Sequence, residues 1–223
     1  RVIKEAQQKY PDLKVTYDVL VPYTVRFFNY DGTLLETVYV EMEGADAVES
    51  WANTNTYIYG GRIEGYCGMY TRAGNVYIHG GTVCGSSPNA VYGYDGCSVT
   101  VSGGNVITTD TYNSDVIDLD GVSSFTMTGG NVAGGVMIRG TNADVAVSGG
   151  KINGDLFVNS TGTTVSVTGG DMTIDSKSGV NISAGTFRDM NILRGTDNVI
   201  SAGNFAGSDS DSLTVEGSVW ISG

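Results

Sequence analysis

The chain has 223 residues and a net charge of −12 at neutral pH, with a sequence pI near 4.3. Nucleic-acid phosphates and anionic membrane surfaces both attract proteins through clustered Lys and Arg side chains, so this composition argues against both partners. Only two of the 33 glycines precede residue 51, which divides the sequence into a leading module, 1–52, and a glycine-rich part, 53–223.

The leading module is predicted to contain a short helix followed by β-strands. Apolar side chains recur at helical spacing in 1–10, and Pro11 ends that pattern. A strand is expected in 13–21, and 23–40 contains two β-rich runs separated by the turn sequence NYDG. Because Gly32 can supply the positive φ that a tight turn needs, we predict a hairpin here.

The hairpin sequence TVRFFNYDGTLLETVYVEMEGADA resembles the Listeria–Bacteroides repeat, the B-repeat module of internalin-like surface proteins. The aromatic pair, the turn and the second strand follow the order of that family. The match stops before the family's closing strand and terminal Gly-Trp, and Trp51 is followed directly by the repeat described next. The resemblance therefore implies a partial, β-grasp-like module, of a kind that acts as an extracellular spacer or adhesive domain without enzymatic activity.

An eight-residue pattern organises the rest of the chain. It places apolar residues at n−4, n−2 and n+3 and Ser or Thr at n−1, where n is the first residue of a Gly-Gly or Ala-Gly pair, as in VAVSGGKI at 145–152. The pattern recurs with n at 60, 80, 103, 129, 149, 169, 184, 202 and 223. A period of about 20 residues is typical of a solenoid, and these positions predict about eight coils.

Three columns of apolar side chains are predicted to form a continuous core. The glycine at n+1 indicates a corner that needs a positive φ or leaves no room for a Cβ, and a further strand follows in most coils. This order of strand, corner, short strand and third strand resembles the pectate-lyase-like superfamily, which implies an all-β, right-handed parallel β-helix. The columns at n−4, n−2 and n+3 contain Val76, Val99, Phe125, Val145, Val165 and Val180; Ile58, Ile78, Val101, Met127, Val147, Val167, Ile182, Ile200 and Ile221; and Ile63, Val83, Val106, Val132, Ile152, Met172, Phe187 and Phe205.

The catalytic motifs of that superfamily are missing from the sequence. Its lyases use an Arg or Lys base beside a calcium ion held by Asp, and the polygalacturonase motifs NTD, DD, GHG and RIK do not occur. Asp118, Asp120 and Arg139 are expected on adjacent coils about 5 Å apart, where they could hold calcium and a base. Salt bridges between coils are the simpler interpretation, so no catalytic residue, metal or cofactor is assigned. A polysaccharide lyase or hydrolase, with calcium as its possible ion, stays an alternative.

Tyrosines are concentrated in the first coils, where eight of the 13 fall between 57 and 112. Aromatic rings stack on the apolar faces of sugars, and hydroxyl and carboxylate groups bond to sugar hydroxyls. We therefore predict a wall that binds carbohydrate or a host surface. Two alternatives stay open: the rings cover the junction with the leading module, or they form cross-strand ladders that add only stability. The predicted ligand-binding residues are Tyr57, Tyr59, Tyr77, His79, Tyr92 and Tyr94.

Three cysteines, Cys67, Cys84 and Cys97, lie in the first two coils without a CxxC pair. His79 is the single histidine, so no zinc-ligand spacing is met. Buried free thiols are favoured over one disulfide.

The sequence as a whole predicts a segment of an extracellular or cell-surface protein, or of a phage virion, that binds without catalysis. No apolar run is long enough to insert into a membrane. The chain starts at Arg1 without Met and stops at Gly223 within a repeat, so both ends are expected to be cuts in a longer protein. A purely structural stalk or phage fibre shaft is the main alternative, and a monomer or a homotrimer is expected.

Overall fold

The computed structural model describes residues 17–20, 24–28, 34–39, 47–51, 54–87, 89–110, 115–121, 123–206 and 212–222. In the first three of these ranges it describes the backbone. The helix predicted in 1–10 lies outside the described residues, and the described residues contain no helix.

Three antiparallel strands precede the repeat: β1 (Tyr17–Leu20), β2 (Thr24–Phe28) and β3 (Leu34–Tyr39). β2 pairs with both neighbours, and Val25 lies opposite Val19 in β1 and Val38 in β3. This order is the one expected of the predicted hairpin, while the family of the module stays a prediction.

The remaining strands form a parallel β-solenoid of about eight turns. In chain order they are β4 (Val48–Ser50), β5 (Asn55–Ile58), β6 (Arg62–Gly65), β7 (Met69–Arg72), β8 (Asn75–Ile78), β9 (Thr82–Gly85), β10 (Val91–Tyr94), β11 (Ser98–Val101), β12 (Asn105–Thr108), β13 (Asp115–Leu119), β14 (Ser124–Met127), β15 (Asn131–Val132), β16 (Gly135–Thr141), β17 (Asp144–Val147), β18 (Lys151–Thr161), β19 (Thr164–Ser176), β20 (Val180–Arg188), β21 (Asn191–Leu193), β22 (Asn198–Ile200), β23 (Asn204–Ala206), β24 (Leu213–Val215) and β25 (Val219–Ile221).

These strands build three parallel ladders, which we call walls A, B and C, and each turn passes through all three. The long strands β18, β19 and β20 bend around corners and belong to more than one wall. Wall A contains β5, β8, β11, β14, β17, the beginnings of β19 and β20, β22 and β25. Wall B contains β6, β9, β12, β15, the beginning of β18, the middle of β19, the end of β20 and β23. Wall C contains β4, β7, β10, β13, β16, the end of β18, the end of β19, β21 and β24.

The predicted apolar columns line the interior, which confirms the coil assignment. Met127 lies opposite Val101 on one side and Val147 on the other, and Val147 lies opposite Val167. These four side chains are buried, as is almost every other member of the columns. Because each such side chain contributes about 1.5 to 3 kcal/mol when removed from water, the stacked columns provide the main driving force for winding the chain.

Phe205 is partly buried, and Ile221 is the exposed member of the predicted columns. It continues the n−2 column, yet 71% of its side chain is exposed. β25 lies in the last coil and pairs with β22 of the coil before it, so among the described residues it is covered from that side only.

The corner between walls A and B is nearly constant along the solenoid. Wherever the two walls are formed by separate strands, three residues lie between them, as in 59–61, 79–81 and 102–104. The glycine at n+1 has a positive φ in each complete copy; at Gly104 it is 76°, and a Cβ there would lie 2.7 Å from the carbonyl oxygen of Gly81. From the second coil to the sixth, successive corners therefore stack with no space for a side chain at either glycine, one of the two possibilities that the repeat indicated.

The connection between walls B and C varies in length. β18 and β19 run through it without a break, whereas six residues separate β12 from β13.

At the N-terminal limit of the solenoid, the parallel pairing begins in wall C at β4, where Val48 lies opposite Met69. Wall C thus includes residues just before position 53, and the division of the chain into domains stays a prediction.

Candidate functional site

Four aromatic rings form a two-by-two array on the outer face of wall A, which we call the aromatic ladder: Tyr57, Tyr59, Tyr77 and His79. The centroids of the Tyr57 and Tyr77 rings are 4.8 Å apart with planes 11° from parallel. The Tyr59 and His79 rings are 5.0 Å apart at 17°. Within each coil the two rings are 6.3 Å apart and also nearly parallel. The register of β5 and β8 causes this arrangement, because it sets Tyr57 directly opposite Tyr77.

The rings of the aromatic ladder overlap across the coils. Nearly parallel rings whose centroids are 4.8 Å apart lie face to face with an offset, and such a pair adds about 0.5 to 1.5 kcal/mol beyond the burial of area. The outer edges remain open to solvent, since Tyr57 is 50% exposed and Tyr59 73% exposed. The ladder therefore stabilises the first coils and also presents an aromatic surface.

Uncharged polar groups surround the aromatic ladder. The Asn75 side-chain amide donates a hydrogen bond of 2.8 Å to Asn55 Oδ1 on the preceding coil. On the following coil, Ser102 Oγ lies 2.7 Å from His79 Nδ1 in a hydrogen bond. Which of the two atoms is the donor depends on the tautomer of the histidine. These contacts place amide and hydroxyl groups beside the rings, where they can bond to a ligand rich in hydroxyl groups.

Tyr92 and Tyr94, predicted to share the ligand site, lie on wall C instead. They pack there with Tyr70 and Arg72, and we call these four residues the wall C cluster. The Tyr70 hydroxyl donates a 2.9 Å hydrogen bond to that of Tyr94, which raises the pKa of Tyr70 to about 12. The Arg72 guanidinium carbon is 5.1 Å from the centroid of the Tyr94 ring, in a cation–π contact. The structure thus brings four of the six predicted residues together and separates the other two.

Asp118 and Arg139, considered above for catalysis, form an ion pair on wall C. Arg139 Nη2 donates a hydrogen bond of 2.8 Å to Asp118 Oδ2. Asp118 is only 6% exposed, and its buried Oδ1 has no hydrogen-bond partner among the described residues. Burial raises the pKa of Asp118 to about 6, although the charge of Arg139 acts to lower it. The third residue, Asp120, is exposed and accepts a 2.7 Å hydrogen bond from the backbone N–H of Gly121.

This arrangement fits the interpretation of wall C polar residues as salt bridges between coils. The pairs Arg72–Asp95 and Arg194–Glu216 link neighbouring coils at 3.1 Å and 3.2 Å. A carboxyl group with a pKa near 6 is suited to general acid catalysis, but one oxygen of Asp118 is buried and the other bonds to Arg139. In the described part of the chain, no three His, Cys, Asp or Glu side chains are placed to hold a metal ion. The enzyme and the calcium site stay alternatives.

All three cysteines are buried thiols, in agreement with the expectation. The Cys67 thiol donates to the carbonyl of Met69 at 3.1 Å, and the Cys97 thiol donates to Ser123 Oγ at 3.3 Å. Burial raises the pKa of both Cys84 and Cys97, so these thiols stay protonated and act as core side chains.

Sequence reasoning missed the polar partners of the aromatic ladder. The signal for the Asn55–Asn75 contact was present, because both residues occupy position n−5 of their coils. The signal for the contact between His79 and Ser102 was present as well, because both residues occupy position n−1 although 23 residues separate them.

The chain matches no protein-family model, no curated protein and no solved structure. None of the described segments forms a helix with the length and hydropathy that a bilayer crossing requires.

Proposed function

We propose that the protein is a non-catalytic β-solenoid that binds carbohydrate, or another ligand of a host surface, through the aromatic ladder. The observation that carries the proposal is the exposure of Tyr57 and Tyr59, half or more of which faces solvent on one wall. Clustered exposed aromatic side chains are characteristic of binding surfaces. The neighbouring amides of Asn55 and Asn75 and the hydroxyl of Ser102 add the polar contacts that sugars require.

The proposal places the protein outside the cell, on a cell surface or on a phage virion. It is supported by the resemblance of 24–47 to the Listeria–Bacteroides repeat and by the antiparallel order of β1, β2 and β3. The strand and corner pattern supports a right-handed helix of the pectate-lyase-like superfamily. A monomer and a homotrimer are both compatible with binding on wall A.

A purely structural stalk or phage fibre shaft is the second candidate. It is favoured by the overlap of the rings, because rings that stack on one another stabilise consecutive coils whether or not a ligand binds. A stalk predicts no ligand. A polysaccharide lyase or hydrolase acting through Asp118, Asp120 and Arg139 predicts products from polyuronides, and the substitution Arg139→Ala should abolish them.

A glycan array probed with the whole chain tests the proposal. We expect retained glycans whose binding falls roughly tenfold or more in the triple variant Tyr57→Ala, Tyr59→Ala and Tyr77→Ala. Tyr66→Ala is the matched control, because Tyr66 is 48% exposed but lies outside both aromatic groups. A second variant, Tyr92→Ala with Tyr94→Ala, tests the wall C cluster separately. An array without any retained glycan refutes the proposal in favour of the stalk.

A further inference from the structure

The aromatic ladder ends abruptly between the second and third coils. In the column of Tyr57 and Tyr77 the next residues are Thr100 and Thr126, each opposite the one before. In the neighbouring column His79 is followed by Ser102 and then Thr128. Long ring side chains therefore give way to short hydroxyl side chains within one coil spacing, which creates a step on wall A.

The step changes what lies against the rings of the second coil. Tyr57 and Tyr59 cover one face of Tyr77 and His79, since the rings of the two coils are 4.8 Å and 5.0 Å apart. On the side of the third coil the neighbours are the short side chains of Thr100 and Ser102, and there His79 is exposed and Tyr77 half-buried. We call the rings of Tyr77 and His79 the side wall of the step, and the outward hydroxyl groups of Thr100, Ser102 and Thr126 its floor.

The floor and the side wall carry no Asp, Glu, Lys or Arg. Neither the n−3 column of Tyr77 nor the n−1 column of His79 contains such a residue along the repeat, although the chain as a whole has a net charge of −12. The charged residues nearest to the step in sequence, Arg72 and Asp95, belong to the wall C side of their coils and pair with each other at 3.1 Å. An anionic ligand would find no cation at the step and would be repelled by the protein as a whole, so charge selects a neutral ligand.

We propose that the step is a subsite for one unit of a neutral saccharide, which stacks on the rings of Tyr77 and His79 and bonds to the hydroxyls of Thr100, Ser102 and Thr126. The inference rests on the proposed function and specifies where on wall A the sugar lies and which charge class it has. One sugar unit can make both kinds of contact, because the rings and the hydroxyl groups lie next to each other on the same face of wall A. The hydrogen bond between His79 and Ser102 holds the imidazole ring in place.

Filling the step provides the test. Thr100→Trp places a large ring over the floor, and a strand accepts Trp at this position. Ser166→Trp is the matched control, because Ser166 lies in the same column three coils farther along wall A. Titration calorimetry with the strongest neutral glycan from the array should show binding at least tenfold weaker for Thr100→Trp and within twofold of the unaltered chain for Ser166→Trp.

Two further measurements separate the step from the rest of the aromatic ladder. Tyr77→Ala should weaken binding at least tenfold and Tyr57→Ala less than threefold, because Tyr57 does not reach the step. Glycans carrying carboxylate or sulfate groups should be absent from the retained set. The proposed subsite would be refuted by equal losses for the two tyrosine variants, by full binding of Thr100→Trp, or by a preference for anionic glycans. Each of these results would leave the proposal that the aromatic ladder binds glycans intact. An array without retained glycans removes both proposals.

Discussion

Replacing Asp118 by Asn should make the stability of the protein less dependent on pH. The folded-state pKa of Asp118 is about 6, against an ordinary value of 3.8, because burial disfavours the charged carboxylate. The folded chain therefore binds this proton more tightly than the unfolded chain does. The resulting stabilisation is fully present below about pH 3.8 and is lost as the pH rises through about 6.

The size of the effect follows from the difference between the two pKa values. A shift of about two units corresponds to about 3 kcal/mol at full linkage. Since the Arg139 side of the ion pair is half exposed and screened by water, we expect roughly 1 to 2 kcal/mol. The free energy of unfolding of Asp118→Asn, minus that of the unaltered chain, should therefore rise by this amount between about pH 4 and about pH 7.

Urea denaturation followed by far-ultraviolet circular dichroism measures this difference. The other carboxylates titrate in both proteins, so their contributions to the free energy of unfolding cancel in the subtraction. Arg139→Gln serves as the companion variant. Removing the positive charge beside Asp118 should raise the pKa of Asp118 further and steepen the loss of stability with rising pH. A difference that stays flat with pH, or that falls, would show that Asp118 is solvated in the folded protein and would refute the reasoning.

Three further predictions concern the core, the corners and the thiols. Phe125→Ala should lower the free energy of unfolding in urea by about 3 to 5 kcal/mol because it empties a fully buried site, whereas the outward Thr126→Ala should change it by less than about 0.5 kcal/mol. Gly104→Ala should cost about 1 to 3 kcal/mol in the same assay, since its Cβ would strain a positive φ and touch Gly81, whereas Gly60→Ala, with open space around its Cβ, should be nearly neutral. The three cysteines should react with a thiol reagent only after denaturation, and modification of the native protein would contradict their burial.

The solenoid was predictable because its main determinants are local and repeated. Val145 and Val147 alternate with Ala146, and this alternation alone sends the valines inward and the alanine outward. The positive φ at the second glycine of each corner is likewise a property of one residue type at one position. Because the copies repeat at a nearly regular spacing, aligning them is enough to identify which residues of adjacent coils are neighbours.

Relations between walls were not predictable in the same way. Tyr77 and Tyr92 are 15 residues apart in the sequence, but the corners between them place the first on wall A and the second on wall C. The placement of a residue on one wall or another depends on the lengths of the connections, for which a single sequence contains no simple periodic signal. Within wall C, by contrast, the proximity of Asp118 and Arg139 was expected from the alignment of the coils.

The unequal corners have a consequence for how such a chain can change over time. Because most of the glycines between walls A and B stack without free space, an insertion there would displace every later coil, whereas the connection between walls B and C already tolerates lengths from zero to six residues. New loops can therefore be added on that side one coil at a time, or grafted there by design, while wall A keeps its register. Variation and engineering are thus directed away from the glycine corner that joins the proposed sugar-binding surface to wall B.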